Sequence, residues 1–299
     1  MSKALYRSQL KTVINAITKY YPANYADHAW DNTGLLIDCS IPDEPSSAQN
    51  IPSMIKVLLT VDLTSLVAQE AIAKGCNMIL AYHPFIFPSW KSLNPAKNIQ
   101  QGNAIKLIQN GISVYCPHTA VDAAKGGVND WLVQGIIGGK TEALIESSVS
   151  IEQLDSKVAQ LNGNESDEVG YGRFVTLKEY MTLDDIIKNV KKSLGIPYVQ
   201  VSSMNEDLTQ HKIKTIALCA GSGSGVFKGL GSEQEVDLYY TGELSHHEIL
   251  KYKEQGKAVI VCNHSNTERG YLKEIMSNLL KEKVECTISE TDADPLRVV

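Results

Sequence analysis

Short apolar runs alternate with segments of helical periodicity along nearly the whole chain, and this alternation limits the folds available to it. The stretches 55–61, 77–82 and 112–116 are apolar at almost every position, as buried strands are. Between and after them, 63–74, 102–109 and 128–135 repeat apolar residues at helical spacing. An opening helix is predicted from Leu10, Val13, Ile14 and Ile17, followed by a loop over 21–32. Strands that alternate with helices build a parallel or mixed sheet covered by helices.

Gly138-Gly139 marks a change of character, after which 151–161 reads as a helix and the polar stretch 162–168 as a loop. Strand, helix and strand are then expected at 172–177, 183–194 and 198–203. The last third repeats the alternation at 213–219, 236–241, 244–254, 258–262, 267–281 and 284–288. A chain of 299 residues exceeds the usual single-domain size. The expected fold class is therefore α/β, with two α/β domains whose mixed sheets are flanked by helices. The first is placed at 1–140 and the second at 141–299, with about 240–299 supplying residues to a shared site.

Three polar stations stand where strand-like runs stop: Tyr82-His83-Pro84, His118-Thr119-Ala120-Val121-Asp122 and His264-Ser265-Asn266-Thr267-Glu268. Open α/β sheets place ligands outside the carboxyl ends of their strands. His83, His118, Asp122, His264 and Glu268 all occupy such ends, so a metal cleft is expected there. Imidazole and carboxylate ligands suit zinc, iron, manganese or nickel, and spacing alone does not choose among them. Spacing also allows the plainer reading, in which each histidine is a hydrogen-bonded structural residue.

Two neighbouring features are candidates for the same chemistry. Thr241-Gly242-Glu243 follows the run 236–241, and Glu243 or His247 is placed to move protons. A helix cap carrying a surface histidine pair explains the same residues. Gly221-Ser222-Gly223-Ser224-Gly225 offers backbone amides to an anion, yet it matches neither the Walker nor the dinucleotide pattern.

The net charge of −6 disfavours a nucleic-acid binder, and the Lys188, Lys191 and Lys192 cluster reads as a solvated helix face. None of the six cysteines falls in C-x-x-C spacing, so they are expected to be reduced core thiols. No apolar run reaches the length of a membrane span, and the opening residues lack a secretory pattern, so the expectation is a cytoplasmic protein with no membrane partner.

Taken together and in order, Trp30-Asp31-Asn32-Thr33-Gly34-Leu35, Tyr82-His83-Pro84, His118 to Asp122, Thr241-Gly242-Glu243 and His264 to Gly270 resemble the Ngg-one-interacting-factor-three-like family. That family is often described as type-two GTP cyclohydrolase I. The resemblance implies two α/β domains, a dinuclear metal centre in a cleft and a ring-like homo-oligomer, commonly a hexamer. Carried over, the ligands are His83, Asp122, His264 and Glu268, binding two divalent ions per subunit. Tyr82 stands where bacterial relatives have the first of two histidines. A phenol ionises near ~10, so it is a poor ligand at neutral pH, and the expectation is that either one ion is held more weakly or His118 or a water compensates.

The resulting expectation is a metal-dependent hydrolase acting on a small nucleotide-like or phosphorylated substrate, with Glu243 and His247 as its proton-moving groups. The alternative is a non-catalytic metal-binding interaction or regulatory protein with a protein partner.

Overall fold

The computed structural model describes residues 4–43, 55–139 and 142–299. Its contacts divide the chain into two compact units, Met1–Ala120 with Leu272–Ala293 and Val121–Tyr271 with Asp294–Val299. The boundary expected at 140/141 lies outside the described residues.

The described residues form eleven strands: β1 (Gly34–Ile37), β2 (Lys56–Thr60), β3 (Met78–Ala81), β4 (Ser113–Cys116), β5 (Ile145–Gln153), β6 (Gly170–Thr182), β7 (Gln200–Ser202), β8 (Lys212–Ser222), β9 (Leu238–Glu243), β10 (Ala258–Val261) and β11 (Glu285–Ile288). The first unit holds a five-stranded sheet in the order β1-β4-β3-β2-β11. Strands β4, β3, β2 and β11 run parallel, and β1 closes one edge antiparallel to β4. Every residue of β3 and β4 is buried, as a parallel strand covered on both faces requires.

Helices Ser65–Ala73 and Ile99–Gln109 press Val67, Ala68, Ala71, Ala104 and Leu107 into the core with Leu58, Ile79 and Val114. Both helices start on a side-chain cap: Thr64 accepts from the Val67 amide, and Asn98 from the Gln100 and Gln101 amides. β11 pairs with β2 in register Glu285 to Lys56, so the strand predicted at 284–288 completes the first sheet. Beyond β11, Glu70 holds the returning segment by accepting from the amides of Glu290 and Thr291 and the hydroxyls of Ser289 and Thr291.

The second unit carries a six-stranded mixed sheet in the order β5-β6-β8-β9-β10-β7. β8, β9 and β10 are parallel, whereas β5, β6 and β7 join antiparallel. Helices Val128–Ile136 and Leu183–Leu194 pack against each other, and the former also packs on β6 and β8. Arg173, only 2 % exposed, is satisfied by Asp130 and by the carbonyls of Gly170, Gly172 and Ala124.

The helix expected over 151–161 is shorter in the structure. Residues Ile145–Gln153 form β5, and only Ser156–Leu161 is helical, capped by Asp155. The exposed polar run Glu146, Ser147 and Ser148 and the buried Ser150 dilute the apolar alternation of β5, and pairing with β6 overrides local pattern. The long helix expected over 267–281 is a helix Asn266–Tyr271, a π-helical turn Leu272–Met276 and a helix Ser277–Leu280. Among the described residues, no helix is long and apolar enough to cross a membrane.

Candidate functional site

In the first unit, β3 and β4 each end in an imidazole. His83 follows β3, and its Nδ1 lies 2.9 Å from Asp62 Oδ1. His118 follows β4, with Nδ1 at 2.8 Å from Asp31 Oδ1. An ionised carboxylate only accepts, so in a neutral ring Nδ1 carries the hydrogen and the lone pair sits on Nε2. This is the tautomer in which a carboxylate hydrogen-bonded to the far ring nitrogen holds a metal-ligating histidine. The rings of His83 and His118 sit 5.4 Å apart, and buried Tyr82 lies edge-on to both at 5.4 and 5.9 Å.

His118 has φ of 33°, a backbone conformation that non-glycine residues rarely adopt. Asp31, whose side chain is 0 % exposed, fastens that turn, because Oδ2 accepts from the Thr119 hydroxyl at 2.5 Å and the Thr119 amide at 3.3 Å. Burial pushes the Asp31 carboxyl up, but the hydrogen bond and charge of His118 and the Thr119 donors outweigh it and hold the pKa below its ordinary value.

In the second unit the ligand candidates are His264, just after β10, Glu268 in the helix Asn266–Tyr271, and Asp122, near the end of the helix Thr119–Ala123. His264 Nδ1 lies 2.9 Å from Glu243 Oε1, and its Nε2 lies 3.5 Å from Glu268 Oε1. Glu268 is buried in the helix Asn266–Tyr271, its side chain 3 % exposed. Glycines make this arrangement possible. A Cβ on Gly221, whose φ is +61°, would stand 2.7 Å from His264 Nε2 and 2.8 Å from Glu268 Oε1. A Cβ on Gly242 would stand 2.5 Å from the Gly221 carbonyl and 2.8 Å from His264 Cα. Thr267 locks the pieces, its hydroxyl accepting from the Gly221 amide and donating to the His264 carbonyl.

Asp122 reaches the same unit through Asn129. The Asn129 amide group donates to the Asp122 carbonyl, and its oxygen accepts from the Ala220 amide at the end of β8. Burial drives the Cys219 thiol well above its ordinary range, and the negative charges of Asp122 and Glu268 push it further. The charges of Asp122 and Glu268 both act on this one buried thiol, and His264 Nε2 lies 3.5 Å from Glu268 Oε1, a set of donor types that suits a divalent cation. His264 and Glu268 thus belong to a His/Glu group suited to holding a metal ion.

Of the two residues expected to move protons, Glu243 is set against His264, whereas His247 is exposed at the start of the helix His246–Glu254, edge-on to His246. The glycine-rich turn does steric work, since Gly221 clears the ligands and a Cβ on Gly223 would strike the Phe227 ring. None of the six cysteines is in a disulfide, and Cys76, Cys116, Cys219 and Cys262 are buried, with burial raising the Cys116 and Cys262 thiols to about 12. Asp31 and Asp62 were not among the expected site residues. Asp62 follows β2 at a strand end just as His83 follows β3, and that shared position was the available signal.

The family profile described as Duf34/NIF3 (NGG1p interacting factor 3) matches residues 8–295. NGG1-interacting factor 3 of Saccharomyces cerevisiae is 56 % identical over 301 residues, covering 100 % of both chains. The human NIF3-like protein 1 is 30 % identical, covering 97 % of this chain and 92 % of its own. Among solved structures, a Staphylococcus aureus hypothetical protein aligns with a TM-score of 0.73 at 26 % identity, covering 96 % of this chain and 98 % of that one. Reduced HcgD from Methanocaldococcus jannaschii shares the fold at a TM-score of 0.71 and 21 % identity, covering 94 % of this chain and 97 % of its own. Profile and full-length relatives agree, and the chain belongs to the Duf34/NIF3 family.

Proposed function

We propose that the protein is a metal-dependent hydrolase for a small nucleotide-like or phosphorylated substrate, with His83, Asp122, His264 and Glu268 as ligands and His118 in support. The observation that carries this reading is the repeated placement of a carboxylate at imidazole Nδ1, for His83, His118 and His264 alike. A structural histidine has no need of that repeated pattern, whereas a ligand histidine gains a fixed tautomer and orientation from it. A divalent ion held there would polarise a carbonyl or phosphoryl oxygen.

The protein's own groups then have distinct tasks. Asp31, Asp62 and Glu243 orient the rings, and His247 with Glu243 exchanges protons with solvent. Two ions per subunit, a ring-like hexamer and a cytoplasmic setting complete the proposal. Native mass spectrometry of protein purified without chelator gives subunit count and ion stoichiometry together, and an ion-free monomer would refute both parts. For the chemistry, hydrolysis of a nucleotide panel is measured for the protein and for His264→Ala with Glu268→Gln. Equal turnover in the double variant would sink the hydrolase reading.

The name of the yeast relative, NGG1-interacting factor 3, favours a second reading in which the metal stabilises a protein-binding module. Tightly held ions without turnover across the panel would support it.

A further inference from the structure

Trp30 and Phe87 are exposed aromatic side chains, 54 % and 53 % accessible, yet their rings meet edge to face at a centroid distance of 6.3 Å. Trp30 also stands 5.7 Å from the His118 ring at an interplanar angle of 87°. Exposed tryptophans are usually free to change rotamer, but this one is pinned. Its indole N–H donates to Asp27 Oδ2 at 2.8 Å, while Asp27 Oδ1 accepts from the Ala29 amide at 3.0 Å. The Asp27 amide donates to Thr119 Oγ1, and that hydroxyl donates to Asp31, the carboxylate that holds His118. On the other side, the Asn32 amide group donates to the Ile86 carbonyl at 2.6 Å, tying the Trp30 loop to the residue before Phe87.

We infer that Trp30 and Phe87 form a preorganised stacking platform for a flat aromatic ring, such as a nucleobase, of a ligand that engages His118. The inference rests on the proposed small-molecule function. A ring held open by its own N–H bond presents a π face without paying rotamer entropy at binding. Stacking is tolerant of ring identity, so the platform selects for a flat heterocycle rather than for one base. The hydrogen bonds that fix Trp30 also fix His118, so ring and imidazole are held in one frame.

The test uses full-length protein with guanosine 5′-monophosphate as probe and ribose 5-phosphate as the ringless control, with affinities from calorimetry and indole quenching. The expected result is tighter binding of the ringed probe by the native chain, with Trp30→Ala weakening it about tenfold or more. Trp30→Phe restores most of that loss in the calorimetric readout, Phe87→Ala loses less, and ribose 5-phosphate affinity stays unchanged throughout. Equal binding of the two probes, or a Trp30→Ala variant with native affinity, overturns the inference. So does a change in oligomer mass on Trp30→Ala with unaltered probe affinity, which would assign the patch to contacts between copies. Metal content measured on the same samples separates the readings. Ring-dependent binding by a protein with no divalent ion keeps the platform and removes the hydrolase, and metal-loaded protein blind to the ring does the reverse.

Discussion

His118 and His264 both have a carboxylate oxygen within 2.9 Å of Nδ1, but they obtain it differently. The partner of His118 is Asp31, 87 residues away, with its side chain 0 % exposed and further bonds to Thr119. The partner of His264 is Glu243, 56 % exposed. What fixes the second station is clearance, because Gly221 and Gly242 let β8 and β9 approach closer than any side chain permits. The first station is held by polar anchoring of a strained turn and the second by steric fit. Substitutions that discriminate these modes should therefore have opposite patterns in the two units.

The largest effect is expected from Gly242→Ala. Its new methyl would meet backbone atoms, the Gly221 carbonyl at 2.5 Å and His264 Cα at 2.8 Å, and backbone cannot yield without moving two strand ends. Overpacking of this type costs about 3 kcal/mol, which denaturant unfolding will register as a lowered midpoint. Gly221→Ala makes the informative contrast. Its methyl would meet the ends of the His264 and Glu268 side chains, which can swing away. The fold should pay about 1 kcal/mol for the left-handed backbone, while metal retention falls by tenfold or more. Unchanged metal content in Gly221→Ala would break the clearance account.

Next in size is Asp31→Asn. The amide keeps the shape but removes the charge that His118 and Thr119 address, inside a buried pocket. Unfolding free energy should drop by about 2 kcal/mol. Nitrogen chemical shifts of His118 should show loss of the single Nδ1–H tautomer. A stability change as small as that of an exposed carboxylate would place the two stations in the same class after all.

The sequence pattern made much of this visible, for identifiable reasons. β2, β3 and β4 are short, mostly buried runs, so they are apolar at most positions, with Lys56, Thr60 and Ser113 as exceptions, and announce themselves. Strand-end position then marked His83, His118 and His264 without any knowledge of the sheet. The pairing of β11 with β2 was not legible, because its residues reach the first sheet from the far end of the chain and local periodicity has no term for that distance. β5 was hidden by its polar residues. Asp31 and Asp62 were missed for a similar reason, since an aspartate in a loop looks alike whether it faces water or an imidazole. The spatial fact that decides between them lies 21 residues away for Asp62 and 87 for Asp31.

A smaller effect concerns the segment that returns to the first unit. Burial raises the Glu70 carboxyl, but Lys74, the Glu290 amide and the Thr291 and Ser289 hydroxyls overcome it and hold the pKa at about 2. The folded-state value is lower than the unfolded one, so the stabilisation is complete above about pH 4.5 and disappears as the pH falls through about 2. The contribution is on the order of 2 kcal/mol. Unfolding measured at pH 7 and pH 3 should show a smaller acid-induced loss in Glu70→Gln than in the native chain. Equal losses would mean that this carboxylate does not hold the 289–291 segment.

Glu243→Gln is expected to change stability least, because its carboxylate is 56 % exposed and a solvent-screened pair adds little. Its effect should appear elsewhere. A glutamine can still place an oxygen near His264 Nδ1, but without charge it no longer raises the basicity of the ring at Nε2. Metal affinity should fall by about tenfold while the unfolding midpoint stays within error. Asp31→Asn has the reverse ordering, with stability affected first. If Glu243→Gln instead destabilises the fold as Asp31→Asn does, exposure does not separate the stations, and steric clearance cannot be what holds His264 in place.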